Sequence, residues 1–364
     1  MRLEEFPQHF NPARPAPDYR ACPALLAWLR ADLAGEPPPG GLDLAQVFAE
    51  ADPQGLDAWV AYRLLDPAQA AAPPAALVPE LKQRLHRASG EKLASDLEWA
   101  GICGGAEQRG IRLLAIKGEG LARSLYPNPA CRLTADFDLL VHPGDVQGMR
   151  ELLAALGYLE ARAPYGEHIF GEKGWYRPQQ RGRQWGVVVD LHWDLTNRRF
   201  LRRRVPLAVL FERATPVDLD GATLWTLCHP HALLMACLHL AAAPRTEPLP
   251  LRWLLDIHLL LEALDDAQMR ALADEARAWR LADVLGIYCA LAQRVLGTRR
   301  HRALIESLGA DISEARRRTY RWACDHRWFD FLEYALRLDG SGRAELLRQM
   351  WAFRGRRRKA RGKA

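Results

Sequence analysis

Apolar and polar positions divide the chain into blocks of different period. Up to about residue 95 the spacing is helical, with apolar residues three and four apart in PALLAWLRADLAG and LVPELKQRLHRA, and GEPPPGG and AAAPPAA interrupting them. Another helix is predicted from Ser95 toward Gly104 and Gly105, followed by a short apolar strand, RLLAI, at 112–116. KGEGLARSLY then forms a turn that opens a helix, which Pro127 and Pro129 end. FDLLVH predicts a strand, Asp145 to Leu156 a helix closed by Gly157, and Tyr158 to Ala161 a second short strand. A polar, Gly- and Arg-rich stretch, GEKGWYRPQQRGRQWG, has the look of a hairpin-like insertion before the β-branched strand VVVDLHWDL. Beyond DLDGATLW the helical period returns in four consecutive segments.

This order predicts an α+β fold. A small mixed-sheet unit, residues 96–215, is flanked by an N-terminal helical region, 1–95, and a C-terminal helical domain, 216–340, with a basic tail at 341–364.

One strand breaks the apolar rule. In RLTADFDLLVH, residues 132–142, Asp136 and Asp138 stand two apart, so both carboxylates point to one face while Phe137 and Leu139 point to the other. Like charges held that close call for a cation between them, and a divalent metal with oxygen preference fits. Asp190, set between VVV and LHW, supplies a third carboxylate on a strand about 50 residues later. Three carboxylates on neighbouring strands can hold two Mg²⁺ ions about 4 Å apart, with Mn²⁺ as the alternative. Such ions clamp a nucleotide's phosphates and lower the pKa of an attacking hydroxyl, which is phosphoryl or nucleotidyl transfer chemistry. Gly118, at a strand-to-helix turn, lets backbone N–H groups approach a phosphate, and Lys117 adds a cation.

Charge and composition narrow the classes. The formal charge of +6 comes from the end of the chain: RGRRRKARGKA, residues 354–364, carries seven Lys or Arg and no acid, so the remainder is near −1. That tail, and RRFLRRR at 198–204, are the candidate contacts for a polyanion, with a solvated basic segment as the plainer reading. The first residues lack the apolar stretch of a signal peptide, and the expected location is cytoplasmic. Seven scattered cysteines without a CxxC pair are expected to be reduced, buried thiols. Residues 222–243 carry no Asp, Glu, Lys or Arg, yet three histidines and a proline mark a buried helix, not a membrane span. His231, His239, Cys228 and Asp256 lack the dense spacing of a zinc site and are assigned to helix packing.

Three blocks taken together resemble the poorly characterised bacterial nucleotidyltransferases of the DNA polymerase β-like superfamily. They are LLAIKGEGLARSLYPNPACRLTADFDLLVHPGD, VVVDLHWDL and LHLAAAPRTEPLPLRWLLDIHLLLE, and they cover roughly residues 95–265. The resemblance implies an Mg²⁺-dependent enzyme that moves a nucleoside monophosphate from an NTP, ATP first, to a hydroxyl acceptor. It makes Asp136 and Asp138 the metal ligands shared with the phosphates, and Asp190 the third ligand and activator of the acceptor. The wider superfamily has Gly-Ser where this chain has Lys117-Gly118-Glu119, so Glu119 must point away from phosphate along its helix. Arg132 is a candidate triphosphate contact or a salt-bridge partner; His192, on the same strand face as Asp190, is a candidate metal or substrate contact or a packed histidine. Two other functions fit parts of the pattern: a nucleotide-sugar glycosyltransferase using D-F-D as its D-x-D, and a catalytically silent binding protein using the basic tail.

Overall fold

Local chemistry fixes the first helices. In the structure, a computed structural model describing residues 19–68, 72–134, 136–161, 172–177, 188–196, 201–219, 221–242 and 249–310, α1 (Pro23–Ala34) has proline in its first turn and Gly35 in the left-handed region after its last. The side chain of Asp43 accepts from the Ala45 N–H to cap α2 (Leu44–Gln54), Gly55 at φ +66° closes it, and α3 (Asp57–Leu65) follows. Where the pattern predicts two helices there is one, α4 (Val78–Gln108), of 31 residues. Its interior glycines do not break it because packing holds both ends. At Gly105 the missing side chain admits Leu152, whose Cδ1 would lie 2.5 Å from a Cβ placed there.

Seven strands form one mixed sheet: β1 (Leu113–Ala115), β2 (Asp136–Val141), β3 (Leu159–Glu160), β4 (Glu172–Tyr176), β5 (Val188–His192), β6 (Thr215–Leu219) and β7 (Ala222–Thr226). Their order is β3-β4-β5-β2-β1-β7-β6. β2 runs parallel to β5 and β1 parallel to β7, and the other neighbours are antiparallel. The predicted strands β1, β2, β3 and β5 are present, as are α5 (Gly118–Ser124) and α6 (Val146–Ala155). β4 is the correction: it lies inside the polar stretch expected to form only an insertion. Its polarity is absorbed by pairing, since buried Lys173 reaches Glu160 of β3 at 2.6 Å while Trp175 turns into the core.

The two faces of the sheet have different partners. Phe137, Leu139, Val141, Val189 and Leu191 are buried on one face with residues of α4 and α6, and Trp99 stacks on Phe137 with ring centroids 4.4 Å apart. On the other face, Leu114, Ile116 and Leu140 join a core built from α1–α3 together with α8 (His229–Ala242), α9 (Leu251–Ala263), α10 (Asp266–Ala278), α11 (Ala282–Leu296) and α12 (Arg302–Ala310). First and last helices are tied directly: Arg30 Nε donates to the Val295 carbonyl at 2.7 Å, and the Leu251 N–H donates to Gln54 Oε1 at 2.8 Å. The short α7 (Leu207–Glu212) precedes β6. The fold is α+β, with helices on both sides of a mixed sheet.

The segment 222–243, expected to be one buried helix, is instead strand β7 over Ala222–Thr226 followed by the 14-residue α8, and among the described residues no helix is long and apolar enough to cross a membrane. The six described cysteines are free thiols. Of the basic run, 198–200 lie outside the described residues. Arg202 pairs with Asp194 at 3.1 Å and Arg204 donates to the Arg280 carbonyl at 2.5 Å. The tail at 341–364 also lies outside the described residues.

Candidate active site

Alternation along β2 and its parallel register with β5 bring the carboxylates together. Asp138 pairs with Asp190, and Leu140 with His192, so the three polar side chains share the sheet face that looks toward the helical core. One ligand atom each from Asp138, Asp190 and His192 lies within 4.8 Å of the others. Gly174 of β4 pairs with Asp190 and puts no side chain beside it.

Asp138 is the hub. Lys117 Nζ donates to its Oδ1 at 2.6 Å, and His192 Nε2 lies 3.0 Å from the same oxygen. The other ring nitrogen, His192 Nδ1, is 3.3 Å from Glu172 Oε2 without hydrogen-bond geometry. Burial would raise the Asp138 pKa, but Lys117 and His192 outweigh it and hold this carboxyl well below the usual range. Reciprocally, burial pulls Lys117 and His192 down, and the carboxylates, Asp138 foremost, lift both above their ordinary values. Among the described residues no lysine or arginine pairs with Asp190, and nearby His192 only partly offsets what raises it. Burial first, and then the neighbouring Asp138 charge, push it up to about 7.

The other predicted residues fall in different places. Asp136 begins β2, half-buried, and does not join the 4.8 Å group. Lys117 precedes α5, and Gly118 opens it under Thr134, whose Cγ2 would be 2.2 Å from a Cβ there; close packing requires that glycine. Glu119 points away from the carboxylates, as its neighbours demand, into ion pairs with Lys92 at 2.5 Å and Arg123 at 2.8 Å. Arg132 is buried against α9: its Nε and Nη2 donate to Asp256 at 2.9 and 2.8 Å, and Nη1 donates to the Leu133 carbonyl at 3.1 Å. The Tyr126 hydroxyl donates to the same Asp256 at 2.6 Å.

Asp256, assigned from sequence to helix packing, therefore anchors Arg132. Two more groups on α8 and α9 face the same region. His239, edge-on to Trp253 with ring centroids 4.5 Å apart, is held neutral: burial, then Lys117, push its pKa down to about 3. Arg252 lies within electrostatic reach of Asp136 and Arg132. The available signal was Arg252 itself, which with Asp256 and His258 interrupts the apolar run PLPLRWLLDIH.

Two carboxylates and an imidazole within 4.8 Å fit a divalent cation, and the rise of Asp190 to about 7 marks a site short of positive charge. The α+β domain thus sets two carboxylates on neighbouring parallel strands of a mixed sheet, on the face that looks toward the helical core. The chain belongs to the family described as uncharacterised nucleotidyltransferases, which it matches over residues 41–297. No curated protein matches it. Among solved structures it is similar to an antigenic nucleotidyltransferase-like protein from Paracoccidioides brasiliensis, with 15% identity, 52% of this chain and 90% of that chain covered, and a TM-score of 0.34.

Proposed function

We propose that the protein moves a nucleoside monophosphate from an NTP, ATP first, to a hydroxyl acceptor. The observation that carries this reading is the convergence of Asp138, Asp190 and His192 within 4.8 Å on one face of parallel strands, beside the Lys117-Gly118 turn, in a chain of nucleotidyltransferase family. Asp138 and Asp190, with His192 beside them and Asp136 at the strand's entry, would hold Mg²⁺ or Mn²⁺. Bound there, the ion neutralises phosphate charge and acidifies the acceptor hydroxyl.

The chain's own groups do the remaining work. Asp138 is kept ionised by Lys117 and His192, so it is ready to bind a cation at neutral pH. Asp190, across from Asp138 on the neighbouring strand, takes the proton of the acceptor hydroxyl. The acceptor oxygen forms a bond to the α-phosphorus as the bond from that phosphorus to pyrophosphate breaks, and pyrophosphate leaves. Arg132, fixed by Asp256, positions the segment that leads into β2.

The test separates binding from transfer. Asp138→Asn should weaken both metal-dependent NTP binding by calorimetry and transfer of labelled nucleotide. Asp190→Asn should keep useful Mg-NTP binding and lose transfer by about a hundredfold or more. Mass analysis of what becomes nucleotidylated identifies the acceptor. Full transfer activity in Asp190→Asn would falsify this assignment.

A further inference from the structure

The cations first associated with phosphate are already engaged. Lys117 is on Asp138, and all three nitrogens of the Arg132 guanidinium group donate to Asp256 or to the Leu133 carbonyl. Arg252 is not engaged. It is the second residue of α9, one turn before Asp256, and among the described residues no ion pair or hydrogen bond holds it; its Nε is buried without a partner. A guanidinium has five N–H donors and keeps its charge at neutral pH, so a donor of it that is buried without an acceptor, as Nε is here, is costly.

Its surroundings are shaped for it. Gly55, which closes α2 at φ +66°, faces the guanidinium, and a Cβ at that position would lie 2.5 Å from Arg252 Nη1. The glycine thus serves the left-handed turn and the space beside the arginine at once. Arg132 takes the carboxylate of Asp256, the nearest acid on α9, so Arg252 is left with no paired carboxylate of its own among the described residues. Burial and then Arg132 pull the Arg252 pKa down to about 10, and Asp136, the first residue of β2, is within its field. A positive group without acceptors, bordering a carboxylate site, is complementary to an anion that reaches across from that site.

We propose that Arg252 is the phosphate-chain residue of this protein: its planar fork donates to non-bridging oxygens of the outer phosphates of an NTP, while the β2 and β5 carboxylates keep the metal. The fork matches phosphate oxygens two at a time, which a lysine cannot do. The assignment rests on the nucleotidyltransferase reading for the identity of the anion.

The experiment is calorimetry on the full chain with Mg-ATP, Mg-AMP, inorganic tripolyphosphate and Mn²⁺ alone, for wild type, Arg252→Gln, Arg252→Lys and the surface control Arg277→Gln. Arg252→Gln should lose about tenfold to a hundredfold in affinity for Mg-ATP and tripolyphosphate, the scale of charged hydrogen bonds. Mn²⁺ and Mg-AMP should bind within about twofold of wild type, and Arg252→Lys should fall between. If Arg252→Gln does not fold, the loss of Mg-ATP affinity in Arg252→Lys with Mn²⁺ affinity kept decides the matter. Unchanged Mg-ATP affinity in a folded Arg252 variant overturns the proposal, as does an equal loss for Mn²⁺ alone or for Mg-AMP. Wild type that binds tripolyphosphate through Arg252 yet transfers no nucleotide leaves the anion site standing and removes the nucleotidyltransferase reading. The converse, transfer and Mg-ATP binding untouched by Arg252 variants, keeps that reading and removes the site.

Discussion

Asp256→Ala tests the joint between the sheet and the C-terminal helices. Asp256 is 3% exposed and accepts from Arg132 twice, at 2.9 and 2.8 Å, and from Tyr126 at 2.6 Å. Removing it leaves Arg132 buried without its counter-charge, beside a second guanidinium, Arg252. Breaking a buried ion pair from one side costs about 3–5 kcal/mol, and the orphaned Tyr126 hydroxyl adds about 1 kcal/mol. At about 2–4 °C per kcal/mol for a domain of this class, the melting temperature should fall by roughly 10–20 °C. The comparison is Asp274→Ala, which removes a pair with Arg277 at 2.8 Å whose aspartate is 75% exposed, and which should cost no more than about 1 kcal/mol. Because the penalty comes from a stranded charge, Arg132→Met combined with Asp256→Leu should recover most of the loss. Urea unfolding followed by circular dichroism and tryptophan fluorescence reads all three variants, with coincident transitions as the check on two-state behaviour. A loss under about 1 kcal/mol in Asp256→Ala, or a double variant no more stable than the single, refutes the reasoning.

Three further outcomes follow from the geometry. Asp190 titrates at about 7, above its ordinary 3.8, so the metal-free native state holds a proton that the unfolded chain has released; stability should fall as pH rises from about 4 to about 7. A divalent cation must displace that proton, so Mn²⁺ affinity should weaken by up to about tenfold per pH unit below 7; calorimetry showing a flat affinity from about pH 5.5 to 7.5 contradicts the placement of Asp190. Gly120→Ala should destabilise by about 1–3 kcal/mol or more in thermal or urea unfolding, because its Cβ would meet Thr226 Oγ1 at 2.0 Å and the Ala115 carbonyl at 2.9 Å; wild-type stability would show that β1 and β7 yield freely. Truncation after Phe353 removes seven basic residues whose composition forms no core, and should leave Mg-ATP affinity unchanged; loss of binding would place the tail in the site.

The carboxylates were legible in the sequence because a strand's period is short and strict: Asp136 and Asp138 between apolar neighbours could only share a face. Asp190 was legible for the same reason, and its register against Asp138 made the prediction spatial. β4 was not, because its alternation is carried by Lys173 and Gly174, with the lysine's burial made tolerable by a partner on another strand. The continuity of α4 was hidden by its glycines, which local propensity treats as breaks and tertiary packing overrides. Arg132 and Asp256 lie 124 residues apart, and no local pattern announces a pair at that separation. Arg252 was visible only as one of several polar residues of α9, with Asp256, His258 and Glu262, and it acquires meaning once its lack of partners among the described residues is known.

The joining of the first helices to the last has a consequence for how the chain is made. Arg30 and Val295 are separated by 265 positions, and Gln54 and Leu251 by 197. At about 5–20 residues per second of synthesis, the apolar faces of α1–α3 wait roughly 10–50 s for the helices that cover them. A nascent chain therefore carries the apolar faces of α1–α3 well before α9 and α11, the helices that complete their core, have been made. The same delay means that Gly55 meets Arg252, and Arg132 meets Asp256, only after α9 has left the ribosome.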